Sequence, residues 1–251
     1  MNTNNNVYTV IYTTIIVIVV AAVLAVVSQT LKPNQEANEK ADVISQMMTA
    51  AGLGEKSAFE GMGNDNVLSL YADEIAEAFT VNTAGVKTGD LSVDRASLEI
   101  FTPSRLKALY KEAKNGGQPE TLPVFKFKNG RTVIPVYGAG LWGPIWGYLS
   151  FEGTTICGAF FDHESETAGL GAKIKDDPAF QHSFIGKDIN VAEEMMFEIA
   201  KPGSHKLSES NGIDAIAGAT MTSKGLSEAI ALWLNLYRPL FAAETPKTVE
   251  E

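Results

Sequence analysis

The chain has 251 residues, 45% of them apolar, a net charge of −10 and a single cysteine. That length accommodates one domain with a sizeable core, or one domain plus an appendage. An acidic balance with no basic run interleaved with aromatics argues against a nucleic-acid partner, and Cys157 alone excludes an internal disulfide or a cysteine-ligated zinc or iron–sulfur centre within the chain.

The N-terminus carries the plainest signal. Val7–Val27 runs for 21 residues without a charge. A helix of that length is roughly 31 Å long and matches a bilayer core of roughly 30 Å. Tyr8 and Tyr12 stand near one end, where amphipathic rings favour the interface. Residues 1–6 contain no Lys or Arg and the apolar run is long, so a retained anchor fits better than a cleaved signal peptide. Lys32 and Lys40 follow the span, which weakly places the remainder in the cytoplasm, but Glu36, Glu39 and Asp42 are interleaved with them. The organisation expected is an anchor over 1–31, a linker over 32–40 within a polar stretch that contains Pro33, and a soluble domain over 41–251.

In the soluble part, Ala41–Leu53 has helical composition, with Gly52 and Gly54 as stops, and Asn64–Phe79 reads as a second helix. Val124–Lys128 alternates, Asn129-Gly130 predicts a two-residue hairpin turn, and Arg131–Tyr137 returns. Apolar runs at Ile145–Phe151 and Thr154–Phe161 are joined by Glu152-Gly153. Cys157, in the second run, reads as a small core residue. A last helix begins near Thr222 or Ser223, lines one face with Leu226, Ile230, Trp233, Leu234 and Tyr237, and ends at Pro239, with a frayed tail from Ala242. The fold class is α+β: one N-terminal transmembrane helix, then a soluble domain with an antiparallel sheet flanked by helices.

Three stretches carry candidate chemistry. Gly138-Ala-Gly-Leu-Trp-Gly143 spells the dinucleotide fingerprint, but Pro144 and β-forming residues follow where a helix is required, so that reading fails. Its glycines mark tight turns beside something flat, and Trp142 either stacks on a planar ring or is a core residue. His163–Ala172 holds Glu164 and Glu166 among small residues; nothing fixes them as a glycosidase pair, and His163, His182 and His205 are too scattered for a metal site. No serine stands in a nucleophile elbow, so no catalytic residue is assigned. Third, Asp214–Ser223 brings Gly218, Ala219 and the hydroxyls of Thr220, Thr222 and Ser223 to a helix start. Free N–H groups and the helix dipole suit such a start to holding a phosphate, and a simple cap at Thr222 or Ser223 is the alternative.

The run Asp214-Ala-Ile-Ala-Gly-Ala-Thr220 resembles the D-x-x-[ST]-G-A-T flavinylation motif, in which the final threonine is esterified to the phosphate of FMN. His163–Gly171, with one residue more between its histidine and Glu166, resembles H-x-E-T-P-G-L-G. With Gly140–Gly143 and the N-terminal span, the chain resembles the C subunit of the sodium-translocating NADH:quinone reductase, with the G subunit of Rnf complexes as the near relative. Ala217 and Ala168 depart from the motifs, standing where Ser or Thr and Pro are usual.

The resemblance implies FMN held covalently by Thr220 and a phosphate resting on amides around Met221, Thr222 and Ser223. Asp214, Ala217, Gly218 and Ala219 would complete that loop. Leu141, Trp142 and Gly143, with Glu166, Thr167, Gly169, Leu170 and Gly171, would flank the ring. It further implies an electron-transfer subunit in a bacterial inner membrane with its soluble domain in the periplasm, partnered by other membrane subunits and by a flavin transferase. A membrane-tethered ligand-binding or scaffold module without redox activity is the rival class.

Overall fold

The computed structural model describes residues 6–95 and 97–244. Helix α1 (Asn6–Ala50) is followed by α2 (Lys56–Glu60), α3 (Asn64–Glu74), strands β1 (Ile75–Val81) and β2 (Lys87–Asp90), and α4 (Pro103–Lys114). Then come β3 (Leu122–Phe127), β4 (Thr132–Ala139), β5 (Pro144–Glu152) and β6 (Thr155–His163). After α5 (Lys173–Asp176) and α6 (Pro178–His182), strands β7 (Glu198–Ala200) and β8 (Gly212–Asp214) lead to α7 (Thr220–Glu244).

The chain divides into two compact units, Met1–Lys40 and Ala41–Glu251. In the first, the Val7–Val27 part of α1 is apolar on all sides and, apart from half-buried Tyr8, exposed, with Val7, Ile11, Ile18 and Leu24 among its residues. It is the one helix among the described residues long and apolar enough to cross a membrane. The polar stretch expected as a linker is helical: α1 continues through Pro33. Proline there forfeits one helical hydrogen bond, but Gln29, which loses its donor, is exposed to solvent, and the surrounding Gln, Glu, Ala and Lys are good helix formers.

The second unit is built on a six-stranded antiparallel sheet in the order β2-β1-β3-β4-β5-β6. Residues 75–79, expected to continue a helix, open β1 instead, since Ala78 and Phe79 pair with Phe125 and Val124. Sheet pairing overrides a helical period that had only one buried face to offer. The β3–β4 connection is one residue longer than expected. Gly130 donates to the carbonyl of Phe127 at 3.0 Å and Phe127 to that of Arg131 at 2.9 Å. Gly130 has φ +86° while Asn129 does not enter the left-handed region, so the turn is a type I turn closed by a glycine bulge. Cys157 is only partly buried.

Helix α7 covers one face of the sheet. Leu226, Ile230, Trp233, Leu234 and Tyr237 are all fully buried, each contributing about 1.5–3 kcal/mol of apolar transfer. Trp233 Nε1 donates to the carbonyl of Tyr137 at 2.8 Å and the Tyr237 hydroxyl to that of Pro123 at 2.6 Å. The approach is close because it is glycine-lined: a Cβ on Gly225 would lie 2.1 Å from the Ala139 carbonyl oxygen, and one on Gly138 2.5 Å from Ala229 Cβ. The helix also runs past its expected end at Pro239, because Leu240 and Phe241 beyond it are buried and Phe241 packs 4.8 Å from the Phe151 ring. The tail expected to fray lies, from residue 245 onward, outside the described residues.

Candidate functional site

Three loops meet at the N-terminus of α7: residues 140–143 between β4 and β5, residues 164–172 after β6, and residues 215–219 after β8. A buried carboxylate joins the first two to the first turn of α7. Glu166 Oε1 accepts from the Trp142 amide at 3.0 Å and Oε2 from the Thr222 hydroxyl at 2.6 Å, with Glu166 itself only 8% exposed. The Glu166 amide donates to His163 Nδ1 at 3.1 Å, which leaves the proton of a neutral imidazole on Nε2. Glycines make room for the carboxylate. A Cβ on Gly140 would meet Oε1 at 2.3 Å, and one on Gly171 would meet Oε2 at the same distance.

The helix begins at Thr220, two residues earlier than its sequence implies, so Thr222 and Ser223 lie inside the first turn rather than capping it. Each is 1% exposed. Thr222 donates to Glu166, and Ser223 Oγ accepts from the Ile216 amide at 3.1 Å, closing the preceding loop. Thr220 is the exposed hydroxyl of the three. It opens onto a cleft of about 170 Å³ lined by Leu141, Glu166, Thr167, Leu170, Gly171, Gly218, Ala219, Thr220, Met221 and Thr222. Gly218 turns the chain into the helix at φ +79°, with its missing Cβ 3.0 Å from Leu170. A neighbouring groove of about 320 Å³ runs along Ala139, Gly140, Lys224 and Gly225; pattern reading singled out the glycine loop that holds Ala139 and Gly140 but gave no site role to Lys224 or Gly225.

The surroundings of the cleft are apolar and exposed: Leu141, Trp142, Leu170 and Met221 are 51%, 66%, 43% and 56% accessible. Trp142 is therefore not a core residue, and its ring stands free for a flat partner. The structure does not bring every expected residue to this cleft. Asp214 and Ala217 line a separate cavity of about 720 Å³ with Lys173, Lys187 and His205, and Asp214 Oδ1 lies 2.8 Å from His205 Nε2. Gly143, Trp142 and Gly169 belong to the enclosing loops but not to the lining. Glu164 is exposed while Glu166 has both oxygens engaged, an arrangement without the free carboxylate pair that glycoside hydrolysis needs.

A helix start with a solvent-facing threonine, cradled by glycine loops and bordered by apolar side chains, is compatible with a phosphorylated planar cofactor, and the family model of the FMN-binding domain matches residues 140–235. The class is thus a protein with one membrane-type helix and an FMN-binding domain. The C subunit of the Na(+)-translocating NADH-quinone reductase of Haemophilus ducreyi is 31% identical over 218 residues, covering 81% of this chain and 79% of that protein. Its counterpart in Pasteurella multocida is 29% identical over 215 residues, covering 81% and 80%. The crystal structure of the C subunit from Parabacteroides distasonis matches with a TM-score of 0.66 at 30% identity, over 88% of this chain and 98% of that one. The chain belongs to the family formed by the C subunits of Na(+)-translocating NADH-quinone reductases.

Proposed function

We propose that this chain is a covalent flavoprotein subunit that relays electrons between other subunits of a membrane NADH:quinone reductase, with FMN joined to Thr220 as a phosphoester. The observation that carries the reading is the division of labour among three hydroxyls within four residues: Thr222 and Ser223 are buried and hydrogen-bonded, while Thr220 is exposed at the head of a 25-residue helix.

Attachment forms one Oγ–P bond at Thr220, with loss of the hydroxyl proton and of the leaving group on an activated flavin phosphate presented by a separate flavin transferase. The first amides of α7, which have no intrahelical acceptor, and the positive end of its dipole would hold the remaining phosphate charge. Both Glu166 oxygens are already engaged beneath the turn, by Trp142 N–H and Thr222 O–H, which leaves the outer, Thr220 side of the helix start for a phosphate. Leu141, Trp142, Leu170 and Met221 supply the apolar surface that a ring system covers. Bound FMN would supply the redox chemistry, accepting and passing on one or two electrons. A covalent tether suits a carrier that works between partners and cannot exchange its cofactor.

The same reading assigns residues 1–31 to a single-pass anchor in a bacterial inner membrane, 32–40 to a helical spacer and 41–251 to a periplasmic domain. It is tested by co-expression with a flavin transferase. A fluorescent band on a denaturing gel and an intact mass raised by one FMN less one water are expected, both abolished in Thr220→Leu. A colourless denatured chain would favour the scaffold reading, and a flavinylated Thr220→Leu chain would move the acceptor to Thr222.

A further inference from the structure

The geometry points to Gln46 and Asp162 as positioning residues for the flavin loops, acting through Glu166 from the inner end of α1. This rests on the proposed flavin site but concerns residues outside it. Gln46 is fully buried on the part of α1 that belongs to the folded unit. Its carbonyl accepts from Trp146 Nε1 at 3.2 Å. An indole nitrogen can only donate, which fixes the amide's orientation. The two N–H groups are thereby turned to two carboxylates, Asp42 Oδ2 at 2.8 Å and Asp162 Oδ2 at 3.1 Å. All the donors of this side chain are in use, and each bond restricts it to one rotamer.

Asp162 continues the connection. It is 5% exposed, and its charge is balanced by Lys175 Nζ at 2.9 Å. Its Oδ1 accepts from the His163 amide at 2.7 Å. Thus the last residues of β6 are held from α1 at the point where the 164–172 loop departs. His163 Nδ1 in turn accepts from the Glu166 amide, and the Glu166 carboxylate holds the Trp142 amide and the Thr222 hydroxyl. The path from Gln46 to the first turn of α7 is made wholly of hydrogen bonds between groups that are buried or half-buried. Buried polar groups linked in this way have few alternative arrangements, because each alternative leaves a donor or acceptor unmet. Removing the Gln46 amide leaves the Asp162 carboxylate and the Trp146 indole each one partner short, and the loop that carries Glu166 loses its fixed origin.

The test uses the full chain, flavinylated, in detergent, and compares Gln46→Leu with Met47→Ala. Met47 is the adjacent residue, fully buried and outside the hydrogen-bonded path, so its truncation lowers the melting temperature without touching the relay. Gln46→Leu is expected to keep covalent flavin but to change its visible-region circular dichroism and increase its quenching by iodide. It should also speed amide exchange in peptides covering 140–143 and 163–171. Met47→Ala should leave all three as in the wild type. Asp162→Asn, which preserves shape and the bond from His163 while discarding the charge, should shift the same readouts in the same direction by less, and serves if Gln46→Leu does not fold.

Wild-type dichroism, quenching and exchange in the folded Gln46 or Asp162 variants would overturn the proposal, as would equal shifts in Met47→Ala. A wild-type chain without covalent flavin would overturn the flavin reading instead, and the exchange measurement on that flavin-free chain would still decide whether Gln46 holds the loops.

Discussion

Helices α1 and α7 are both long and apolar and both carry an interior proline, yet they meet their surroundings in opposite ways. Helix α7 concentrates its large apolar residues on one face, where Leu226, Ile230, Trp233, Leu234 and Tyr237 are fully buried on the sheet, and leaves Met221 exposed at the cleft. The Val7–Val27 part of α1 is apolar on every side and, apart from half-buried Tyr8, exposed, with no periodicity to choose a face. Apolar content alone would have equated the two. Its angular distribution separates a helix that completes a protein core from one that is long and apolar enough to cross a membrane.

The largest effect that would sharpen this contrast is removal of residues 1–31. The chain should pass completely from the membrane fraction to the soluble fraction, and retention on the membrane would contradict the assignment of α1. Next in size, Trp233→Ala on α7 should cost about 3–5 kcal/mol in chemical denaturation, whereas Ile18→Ala on α1 should leave the stability of the folded unit unchanged. A smaller loss, about 1–3 kcal/mol, is expected for Gly225→Ala. The added methyl improves helix propensity but has the Ala139 carbonyl 2.1 Å away. Gly61, with nothing within 4 Å of its would-be Cβ and a helical φ of −81°, is the matched control; Gly61→Ala should be close to neutral.

The smallest effect at neutral pH is the titration of buried phenols. Burial alone raises the pKa of Tyr71 and of Tyr237 above that of a free tyrosine, because it penalises the charged phenolate. Both therefore keep their protons in the folded state while the unfolded chain releases them near pH ~10. Stability should be flat in this respect from pH 7 to about 9 and fall as pH rises past about 10, which a denaturant midpoint measured against pH would show.

Much of this was legible in the sequence where local pattern and burial agree. Val124–Tyr137 alternates and turns at a glycine, and Leu226–Tyr237 repeats at helical spacing, so β3, β4 and α7 stand close to where their residues place them. Legibility failed where a distant partner decides. Phe79 has helical neighbours but pairs with Val124. Leu240 and Phe241 carry α7 past a proline because a core lies beyond it. The β7–β8 pair is parallel, its strands joined by a loop that ends in a 3-10 turn at Glu209–Asn211, and each is three residues long, too short to show a period.

The site divides in the same manner. The glycines, the hydroxyl cluster and Trp142 were visible as unusual local composition. The role of Glu166 was not, since it depends on Trp142 and Thr222, which lie 24 and 56 residues away. Gln46 was invisible for the same reason, its partner Trp146 being 100 residues distant. Asp214, by contrast, looked like part of the phosphate loop, but its side chain faces the cavity beside His205.

The tryptic peptide Leu207–Lys224 tests most directly whether Thr220 is the flavin acceptor. After co-expression with a flavin transferase, fragmentation should place the mass of one FMN less one water on Thr220. An unmodified peptide, or the added mass on Thr222 or Ser223, would contradict it.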